Sequence, residues 1–450
     1  MSDRAQGGSP SADGSGSPRW HSVVGSDQPP RRADVVVVGG GIVGLAAAYE
    51  LAVRGLQVCV LDRGAAGAAQ STRSWGFIRQ QGRSVEELPL MIEANRMWRE
   101  LEARLECDIE WIQGGNLRLT DNADRVEDYG RWIEVARSFG LDSRVASPDE
   151  VGQILPGFTG RYLTAIFTPS DGQVNTVKVV AGYLGALRSL ATQIYEHAQV
   201  TSIVTSGGRV AGVLTRDGFI AAPRVVLAAG VGSTALLRPL GLDVPAHFVG
   251  QTVALTTAVP RLTQACVWTG EIGFRQAPSG AIVLSSGGRG DVKFDLASLS
   301  TLASPRQMSQ AVPMFWKNRE YLRVRPREVV GAVRHRHDGG LFADTPSYAD
   351  VDHSLAVLAR YFPQLTCDVA VAWAGTIDGT PDALPIIEAV DRPSGLVVAT
   401  GMSGHGFGIA PSVGKVVADL VTGTHTDHDL RPFRLKRFRE GEAKAPAHLL

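Results

Sequence analysis

The hydrophobic pattern near the start of the chain predicts a strand, a turn, a helix and a second strand. Residues 33–38 (ADVVVV) form a β-branched run, typical of a strand that is buried on both faces of a sheet. After a glycine cluster, residues 45–52 (LAAAYELA) are strong helix formers, and Gly55 is placed to end the helix. A second apolar run over 57–62 ends on an acid, Asp62. This order predicts a βαβ unit.

The glycine cluster at 39–44 matches the spacing G-x-G-x-x-G directly after the first strand. In such a turn Gly39 permits the tight bend, Gly41 lets the backbone approach a pyrophosphate, and Gly44 lets the helix pack on the strand. The helix N-terminus offers free N–H groups to the phosphates. Asp62 can accept hydrogen bonds from ribose hydroxyls and disfavours a 2′-phosphate, so we predict an adenine dinucleotide without that group. The predicted binding residues of this unit are Gly39, Gly41, Ile42, Val43, Gly44 and Asp62.

Two distant segments repeat the pattern of a buried strand followed by small residues. Residues 225–232 (VVLAAGVG) bring Ala229 and Gly230 to such a turn, which is either an ordinary tight connection or a second contact with the dinucleotide. Residues 395–401 predict another strand, and a Gly-rich loop then leads into a helix through Leu420 with Pro411 in its first turn. The N-terminus of that helix could stabilise negative charge on a ring system as well as on a phosphate.

Composition narrows the class of protein. The 450 residues are enough for two domains, and 44% hydrophobic with 20% charged residues is typical of a soluble globular protein. Lys+Arg and Asp+Glu both number 45, so no net field attracts nucleic acid or an anionic membrane. Four separated cysteines without a CxxC pair favour reduced thiols and a cytoplasmic location. The Gly/Ser/Pro-rich first 30 residues lack the apolar core of a signal peptide and predict a disordered tail.

Neither a membrane span nor a metal site is predicted. The most apolar window, 35–53, contains the glycine cluster and Glu50. His335 and His337 alternate on a possible strand, but no third ligand is evident.

With these segments in place, the chain resembles the D-amino-acid oxidase/glycine oxidase/sarcosine oxidase flavoenzymes. The resemblance rests on GGGIVGLAAAYEL, IRQQG, DGQVN and DALPII…VVATGMSGHGFGIAPSVGKVVADL, in the family's order over residues 33–422. It implies an α/β fold in which a Rossmann-type (GR2-like) FAD-binding domain is interleaved with an α+β substrate domain on a mixed, largely antiparallel sheet. The implied division is a tail at 1–30, an FAD-binding domain at 31–85, 150–250 and 370–425, a substrate domain at 86–149 and 251–369, and a C-terminal tail at 426–450.

The resemblance also implies which residues contact the cofactor. In the family, the region matching the STR of residues 71–73 lies beside the flavin, and the loop matching SGHGF approaches its pyrimidine end. Val200 fits the position whose backbone contacts adenine. The residues that the resemblance adds are Arg63, Ser71, Thr72, Arg73, Val200, Gly404, His405, Gly406, Phe407 and Gly408.

The family's chemistry implies a cation for the substrate. Its members oxidise the C–N bond of an amino acid by hydride transfer to flavin N5, and the imine then hydrolyses. A substrate carboxylate needs a cation, preferably the planar fork of an arginine. Arg79 matches the family's substrate-side arginine, and Arg275 and Arg334 are further candidates; each could instead form a structural ion pair. His405 is either an acid or base or a residue that shapes the flavin loop, whereas the sequence indicates no role for Arg83.

Departures from the family pattern bear on the cofactor and on the electron acceptor. Where monomeric sarcosine oxidases carry the cysteine that attaches their flavin, this chain has Val371, so we predict non-covalent FAD. Val283 and Gly408 stand where those enzymes carry lysines, which leaves oxygen or another electron acceptor open. A non-catalytic FAD-binding subunit and an NAD-dependent dehydrogenase are the remaining alternatives.

Overall fold

The computed structural model describes residues 29–287, 291–293 and 345–444. Arg334, the two histidines beside it and nearly all of the predicted N-terminal tail lie outside these ranges. The strands are β1 (Val35–Val38), β2 (Val58–Leu61), β3 (Phe77–Ile78), β4 (Asn116–Thr120), β5 (Arg144–Val145), β6 (Thr164–Thr168), β7 (Gly172–Gln173), β8 (Gln193–Tyr195), β9 (Val200–Ser206), β10 (Arg209–Thr215), β11 (Gly218–Ala221), β12 (Val225–Leu227), β13 (His247–Thr256), β14 (Cys266–Trp268), β15 (Ile272–Gln276), β16 (Ile282–Ser286), β17 (Asp291–Lys293), β18 (Val369–Gly379), β19 (Ile386–Ala389) and β20 (Leu396–Thr400). The helices are α1 (Ile42–Val53), α2 (Leu88–Leu105), α3 (Val126–Ser138), α4 (Pro148–Ile154), α5 (Thr176–Ser189), α6 (Ser233–Leu237), α7 (Tyr348–Tyr361), α8 (Gly406–Thr422) and α9 (Arg437–Glu440).

A six-stranded sheet in the order β19-β20-β12-β1-β2-β8 contains the predicted βαβ unit. All of its pairings are parallel except that of β19 with β20. Helices α1, α5 and α8 share one hydrophobic core with one face of this sheet. Strands β9, β10 and β11 cover the other face, where Ile203 and Val213 join the core of Val36. The buried β-branched runs therefore form the inner strands of a sheet covered on both faces, as their sequence predicts.

A second sheet of nine strands has the order β17-β13-β16-β15-β14-β4-β6-β5, with β18 paired along β13. Its pairings are antiparallel except for the parallel pair β14 and β4. One face packs on α4 and α7 through side chains such as Leu117, Phe274 and Leu284. Because side chains alternate along a strand, Arg118 and Arg275 point to the opposite face. The predicted fold class, a Rossmann-type domain with a mixed and largely antiparallel second sheet, is confirmed.

The chain passes from one sheet to the other at points that differ from the predicted domain boundaries. Strand β6 lies in the predicted segment 150–250 and β18 in the segment 370–425, yet both belong to the nine-stranded sheet. The division into domains stays a prediction.

Two local expectations differ from the structure near the C-terminus. Helix α8 begins at Gly406, so Pro411 lies inside it and not in its first turn. The predicted C-terminal tail packs on the fold as far as it is described, because the buried Arg437 binds Asp382 at 2.7 Å. No helix in the described ranges has the length and apolar character to cross a membrane.

Candidate cofactor and substrate site

The carboxyl ends of β1, β12 and β20 meet at one edge of the six-stranded sheet. Gly39 has a φ of +108°, and a Cβ there would overlap the carbonyl of Ala228. On the other side of this edge, the Thr400 hydroxyl donates a hydrogen bond to the Gly230 carbonyl at 3.2 Å. The structure therefore brings the predicted residues Gly39, Ala229 and Gly230 together, although they are far apart in sequence.

The turn between β1 and α1 has the close packing that its glycines predict. A Cβ at Gly44 would overlap the carbonyl oxygen of Gly39, so helix and strand approach as closely as a glycine allows. Around a Cβ at Gly41, in contrast, the nearest atom is Ser71 Oγ at 3.4 Å. Space for a phosphate thus remains where the backbone must approach it.

The predicted STR turn packs against this glycine turn. The Ile42 amide, at the start of α1, donates to Ser71 Oγ at 2.9 Å. The Thr72 hydroxyl donates to the Gly67 carbonyl at 2.8 Å, and the Gly67 amide donates to the Gly40 carbonyl at 2.8 Å. Ser71 is therefore at the helix N-terminus, where a phosphate group would lie.

Arg73 connects the same turn to the nine-stranded sheet. Its Nη1 donates to the Ala374 carbonyl at 2.7 Å and its Nε to the Ala68 carbonyl at 3.1 Å. In return, the Trp373 indole donates to the Arg73 carbonyl at 3.0 Å. Arg73 thus fixes how β18 lies against the turn, and its contact with a cofactor stays a prediction.

Asp62 lies at the end of β2, as predicted, and it organises the adjacent backbone. It accepts hydrogen bonds from the Gly40 amide at 2.7 Å and from the Gly64 amide at 2.8 Å. Burial raises the pKa of Asp62, and these two hydrogen bonds oppose that rise. A carboxylate has further lone pairs, so it can still accept from a ribose hydroxyl. The buried Val200 lies two residues after Ala198, whose amide donates to the Asp62 carbonyl at 2.7 Å. Arg63 is exposed.

The C-terminal loop enters α8 beside this edge. Gly404 has a φ of +78°, and the Gly401 amide donates to a carboxylate oxygen of Asp378 at 3.1 Å. The buried Phe407 stacks on Trp98 at 5.7 Å between ring centroids, and the Trp98 indole donates to the Gly408 carbonyl at 2.8 Å. A Cβ at Gly406 would lie only 2.8 Å from Met402 Cβ. The side chain of Phe407 therefore packs in the core, and at this position only the backbone is left to meet a ligand.

His405, the residue before α8, forms a polar cluster with two buried residues for which the sequence indicated no role. Its Nδ1 lies 2.9 Å from Glu87 Oε2. The other oxygen of Glu87 lies 3.7 Å from Arg83 Nη1, and both of these atoms are buried without a hydrogen-bond partner among the described residues. Arg83 Nε donates to the Arg79 carbonyl at 3.2 Å. The cluster therefore links the C-terminal loop to the segment that carries Arg79.

Arg79 is partly buried and forms no ion pair within the described part of the chain. Its Nη1 donates to the Gln81 carbonyl. Burial, and after it the positive charges of Arg83 and Arg118, lower the pKa of Arg79 to about 9, although the charges of Asp171 and Glu87 oppose this shift. Asp171 holds the following residues, because it accepts from the Gln80 amide at 2.7 Å. Arg79 is thus held by a hydrogen bond to its own segment, and no carboxylate among the described residues lies within ion-pair distance of it.

Arg275 is more deeply buried and is engaged by neutral groups. Its Nε donates to the Trp75 carbonyl and its Nη1 to Gln173 Oε1 at 3.2 Å. Burial lowers the pKa of Arg275 as well. These contacts hold the loop that contains Trp75, so of the described arginine candidates Arg79 is the more available to a ligand.

A stack of side chains lies on the face of the nine-stranded sheet that carries Arg275, and the sequence did not predict it. The Arg118 guanidinium lies 5.3 Å from the centroid of the Trp268 ring, which stacks on Trp75 at 5.1 Å. Trp75 covers Gly273, where a Cβ would overlap its ring. The alternation Asn-Leu-Arg-Leu-Thr over 116–120 carries the signal for Arg118, since its two leucine neighbours face the core. For Glu87, no such local signal exists.

A glycine-rich turn at a parallel sheet edge, with an acid after the second strand and a second sheet opposite, is typical of dinucleotide-dependent oxidoreductases of the flavoprotein kind. A family model described as DAO, FAD dependent oxidoreductase, matches residues 34–420, and the chain belongs to this family. FAD is therefore its cofactor. The open space at Gly41 and the donor groups around it suit the pyrophosphate of that cofactor.

Individual relatives agree with this assignment. Glycine oxidase from Geobacillus kaustophilus is 26% identical over 417 residues, which cover 90% of this chain and 97% of that protein. Human mitochondrial sarcosine dehydrogenase is 31% identical over 93% of this chain, which spans 42% of that longer protein. Among solved structures, L-amino acid deaminase from Proteus vulgaris has a TM-score of 0.86 at 24% identity, covering 93% of this chain and all 100% of that one. That last similarity shows a shared fold.

Proposed function

We propose that the protein uses non-covalent FAD to oxidise the C–N bond of an amino acid or of a carboxylate-bearing secondary amine. The product is an imine, which hydrolyses in water. The observation that carries this proposal is Arg79, a partly buried cation that forms no ion pair with a carboxylate of the described residues.

An unpaired guanidinium in this position is costly, because burial removes water and Arg83 and Arg118 add repulsion. A substrate carboxylate offsets that cost, and the planar fork of arginine can bind it through two parallel hydrogen bonds. The partial exposure of Arg79 leaves a path by which the anion reaches it. We therefore assign Arg79 to the substrate and treat Arg275 as a residue that supports the loop next to it.

When bound, FAD supplies a hydride acceptor, and this chain's residues bind and orient. Asp62 and the glycine turn would hold the adenosine and pyrophosphate part, with Ser71 at the N-terminus of α1. The main chain from Gly404 to Gly408 would face the ring system. The nine-stranded sheet closes the opposite side and keeps the substrate close to the ring.

The names of the relatives support an amine substrate, since glycine oxidase, sarcosine dehydrogenase and L-amino acid deaminase all act on compounds with a C–N bond next to a carboxylate. A second candidate concerns the electron acceptor. Val283 pairs with Arg275 across β15 and β16, and this apolar residue stands where sarcosine oxidases carry a lysine. That difference favours a dehydrogenase that uses an acceptor other than oxygen.

Anaerobic mixing of the FAD-loaded protein with a panel of N-alkyl, D- and L-amino acids tests the proposal. Loss of the oxidised flavin absorbance with at least one carboxylate-bearing amine is the expected result. A protein that binds FAD and is bleached by none of them is a non-catalytic flavin-binding subunit, and one that takes up no FAD contradicts the assignment altogether. Admitting air after bleaching and measuring peroxide separates oxidase from dehydrogenase.

A further inference from the structure

The residues directly before α2 and α8 contact each other at the site through their side chains. Glu87 precedes α2 and His405 precedes α8, and Glu87 Oε2 lies 2.9 Å from His405 Nδ1. The Glu87 side chain is 1% exposed, whereas that of His405 is 22% exposed. Nδ1 is occupied by this contact, whereas Nε2 on the opposite edge of the ring has no hydrogen-bond partner among the described residues.

The charges around this contact determine which ring nitrogen carries the proton. His405 and Arg83 hold the pKa of Glu87 at about 2 despite its burial, so Glu87 is a carboxylate at neutral pH. Burial lowers the pKa of His405, and Arg83 and Arg79 lower it further, while Glu87 raises it. The imidazole is therefore neutral at neutral pH. A neutral ring that donates from Nδ1 to a carboxylate has a bare Nε2, which is an acceptor.

On the other side of His405 the loop is held by main-chain groups. The His405 amide donates to the Met402 carbonyl at 2.8 Å, and the Ser403 amide donates to the Asp378 carbonyl at 2.9 Å. The charged groups that act on the ring thus come from the segment before α2, namely Arg79, Arg83 and Glu87. These contacts fix the backbone and the tautomer of His405 together.

We propose that Glu87 is a positioning residue that holds His405 with its proton on Nδ1, so that Nε2 accepts a proton from the substrate ammonium. This inference rests on the proposed function, in which the amine has to be neutral before its C–H bond breaks. The ammonium N–H bond is broken, its proton moves to Nε2, and the nitrogen keeps the electron pair. His405 becomes an imidazolium beside the Glu87 carboxylate, which stabilises the new charge.

Nitrogen-15 NMR of histidine-labelled, FAD-loaded protein tests the tautomer without any substrate, with the His405→Gln variant to identify the resonance. We expect a protonated Nδ1 and a bare Nε2 in the wild-type protein at pH 7.5. In Glu87→Gln the amide can donate to Nδ1, so we expect the proton to move to Nε2 in a large part of the population. A wild-type His405 with its proton on Nε2 would overturn the proposal.

The matched control is Glu93, which makes the same kind of contact between the same regions. Its carboxylate binds His428 Nε2 at 2.6 Å and Lys415 Nζ at 2.5 Å, with α2 again on one side and α8 on the other. Glu93→Gln should leave the His405 resonances as they are in the wild-type protein. A change of equal size in both variants would mean that any weakening between the two helices alters His405, which contradicts a specific role for Glu87.

A pH profile of anaerobic flavin bleaching tests the proton transfer. In the wild-type protein the rate should rise with pH as His405 loses its proton. In Glu87→Gln the midpoint of this rise should move to lower pH, because the carboxylate no longer raises the pKa of His405, and the plateau should fall about 10-fold. In His405→Gln the rise should follow the ionisation of the substrate amine instead, with a loss of about 100-fold at pH 7.5.

The outcomes separate this inference from the proposed function. A wild-type pH profile retained in His405→Gln would refute the proton transfer while leaving amine oxidation intact. If no amine bleaches the flavin, the proposed function fails, and the NMR measurement still reports whether Glu87 sets the tautomer. Should Glu87→Gln fold poorly because Arg83 loses its partner, the wild-type tautomer and the His405→Gln profile still decide the question.

Discussion

Ser71 Oγ accepts a hydrogen bond from the Ile42 amide at 2.9 Å, across 29 residues of sequence. The hydroxyl caps the N-terminus of α1 and keeps its own hydrogen free to donate to a phosphate oxygen. We expect Ser71→Ala to weaken FAD binding about 5- to 10-fold, since one capping contact is worth about 1 kcal/mol. Titration of the apoprotein with FAD, followed by flavin fluorescence, measures the change. Ser189→Ala, at an exposed serine near the end of α5, should leave FAD affinity unaltered.

The close approach of α1 and β1 gives a second prediction. Gly44→Ala places a methyl group against the Gly39 carbonyl, so helix and strand must separate. We expect a loss of about 1–3 kcal/mol in the free energy of unfolding, together with weaker FAD binding. Urea denaturation of the apoprotein gives the first quantity.

Gly130 in α3 provides the opposite case, because a Cβ built there meets no heavy atom within 4 Å other than the backbone of its own helix. Gly130→Ala should raise the free energy of unfolding by about 0.5–1 kcal/mol, since alanine is the better helix former. Similar effects of the two substitutions would contradict the packing described for Gly44.

Arg79 gives the most direct test of the substrate site. Arg79→Leu should raise the KM for a carboxylate-bearing amine about 100-fold, because a charged hydrogen-bonded pair is lost, while FAD stays bound. Because Arg79 forms no ion pair with a described residue, its replacement by leucine should lower the free energy of unfolding less than the loss of a buried ion pair would. Steady-state kinetics gives the KM, and the flavin absorbance of the purified protein shows whether FAD stays bound. A variant that loses FAD and keeps its substrate affinity would place Arg79 in the cofactor site instead.

The pKa of Arg79 predicts a pH dependence of substrate binding. Because this pKa is lowered from 12.5 to about 9, the side chain loses its positive charge as pH rises through 9. Affinity for a non-reactive carboxylate should therefore fall above pH 9, whereas Arg79→Leu should bind weakly and evenly from pH 7 to pH 10. Titrating the flavin spectrum with the carboxylate at each pH measures this, and an unchanged affinity up to pH 10 in the wild-type protein would contradict it.

The sequence predicts the cofactor half of the molecule well, because its signals are local. Strand, glycines, helix, strand and Asp62 lie within 30 residues, and each residue type is required by the backbone next to it. The prediction that Pro411 lies in the first turn of α8 was wrong, because this helix begins five residues before the proline, at Gly406. A proline inside a helix removes one hydrogen bond and crowds the preceding turn, but the surrounding packing can tolerate it, so the residue alone does not fix where the helix begins.

The sequence predicts the substrate half of the molecule less well, because the contacts there join segments that are far apart in the chain. Glu87 and His405 are 318 residues apart, and a glutamate before a helix is common on protein surfaces. Arg275 illustrates the opposite limit: the sequence indicates it as a candidate cation, but it does not predict the hydrogen bonds to Trp75 and Gln173. Such partners follow from the packing of two sheets and have no pattern within either segment.

The strands that form the proposed dinucleotide-binding edge are far apart in the chain, and this order affects when the edge can form during synthesis. Strand β20 lies between β12 and β19, and its last residue, Thr400, completes the edge that Gly39 begins. While the chain is being synthesised, β12 has no neighbour on that side until residues beyond 400 have left the ribosome. The edge that begins with Gly39 is therefore complete only when nearly the whole chain has been made.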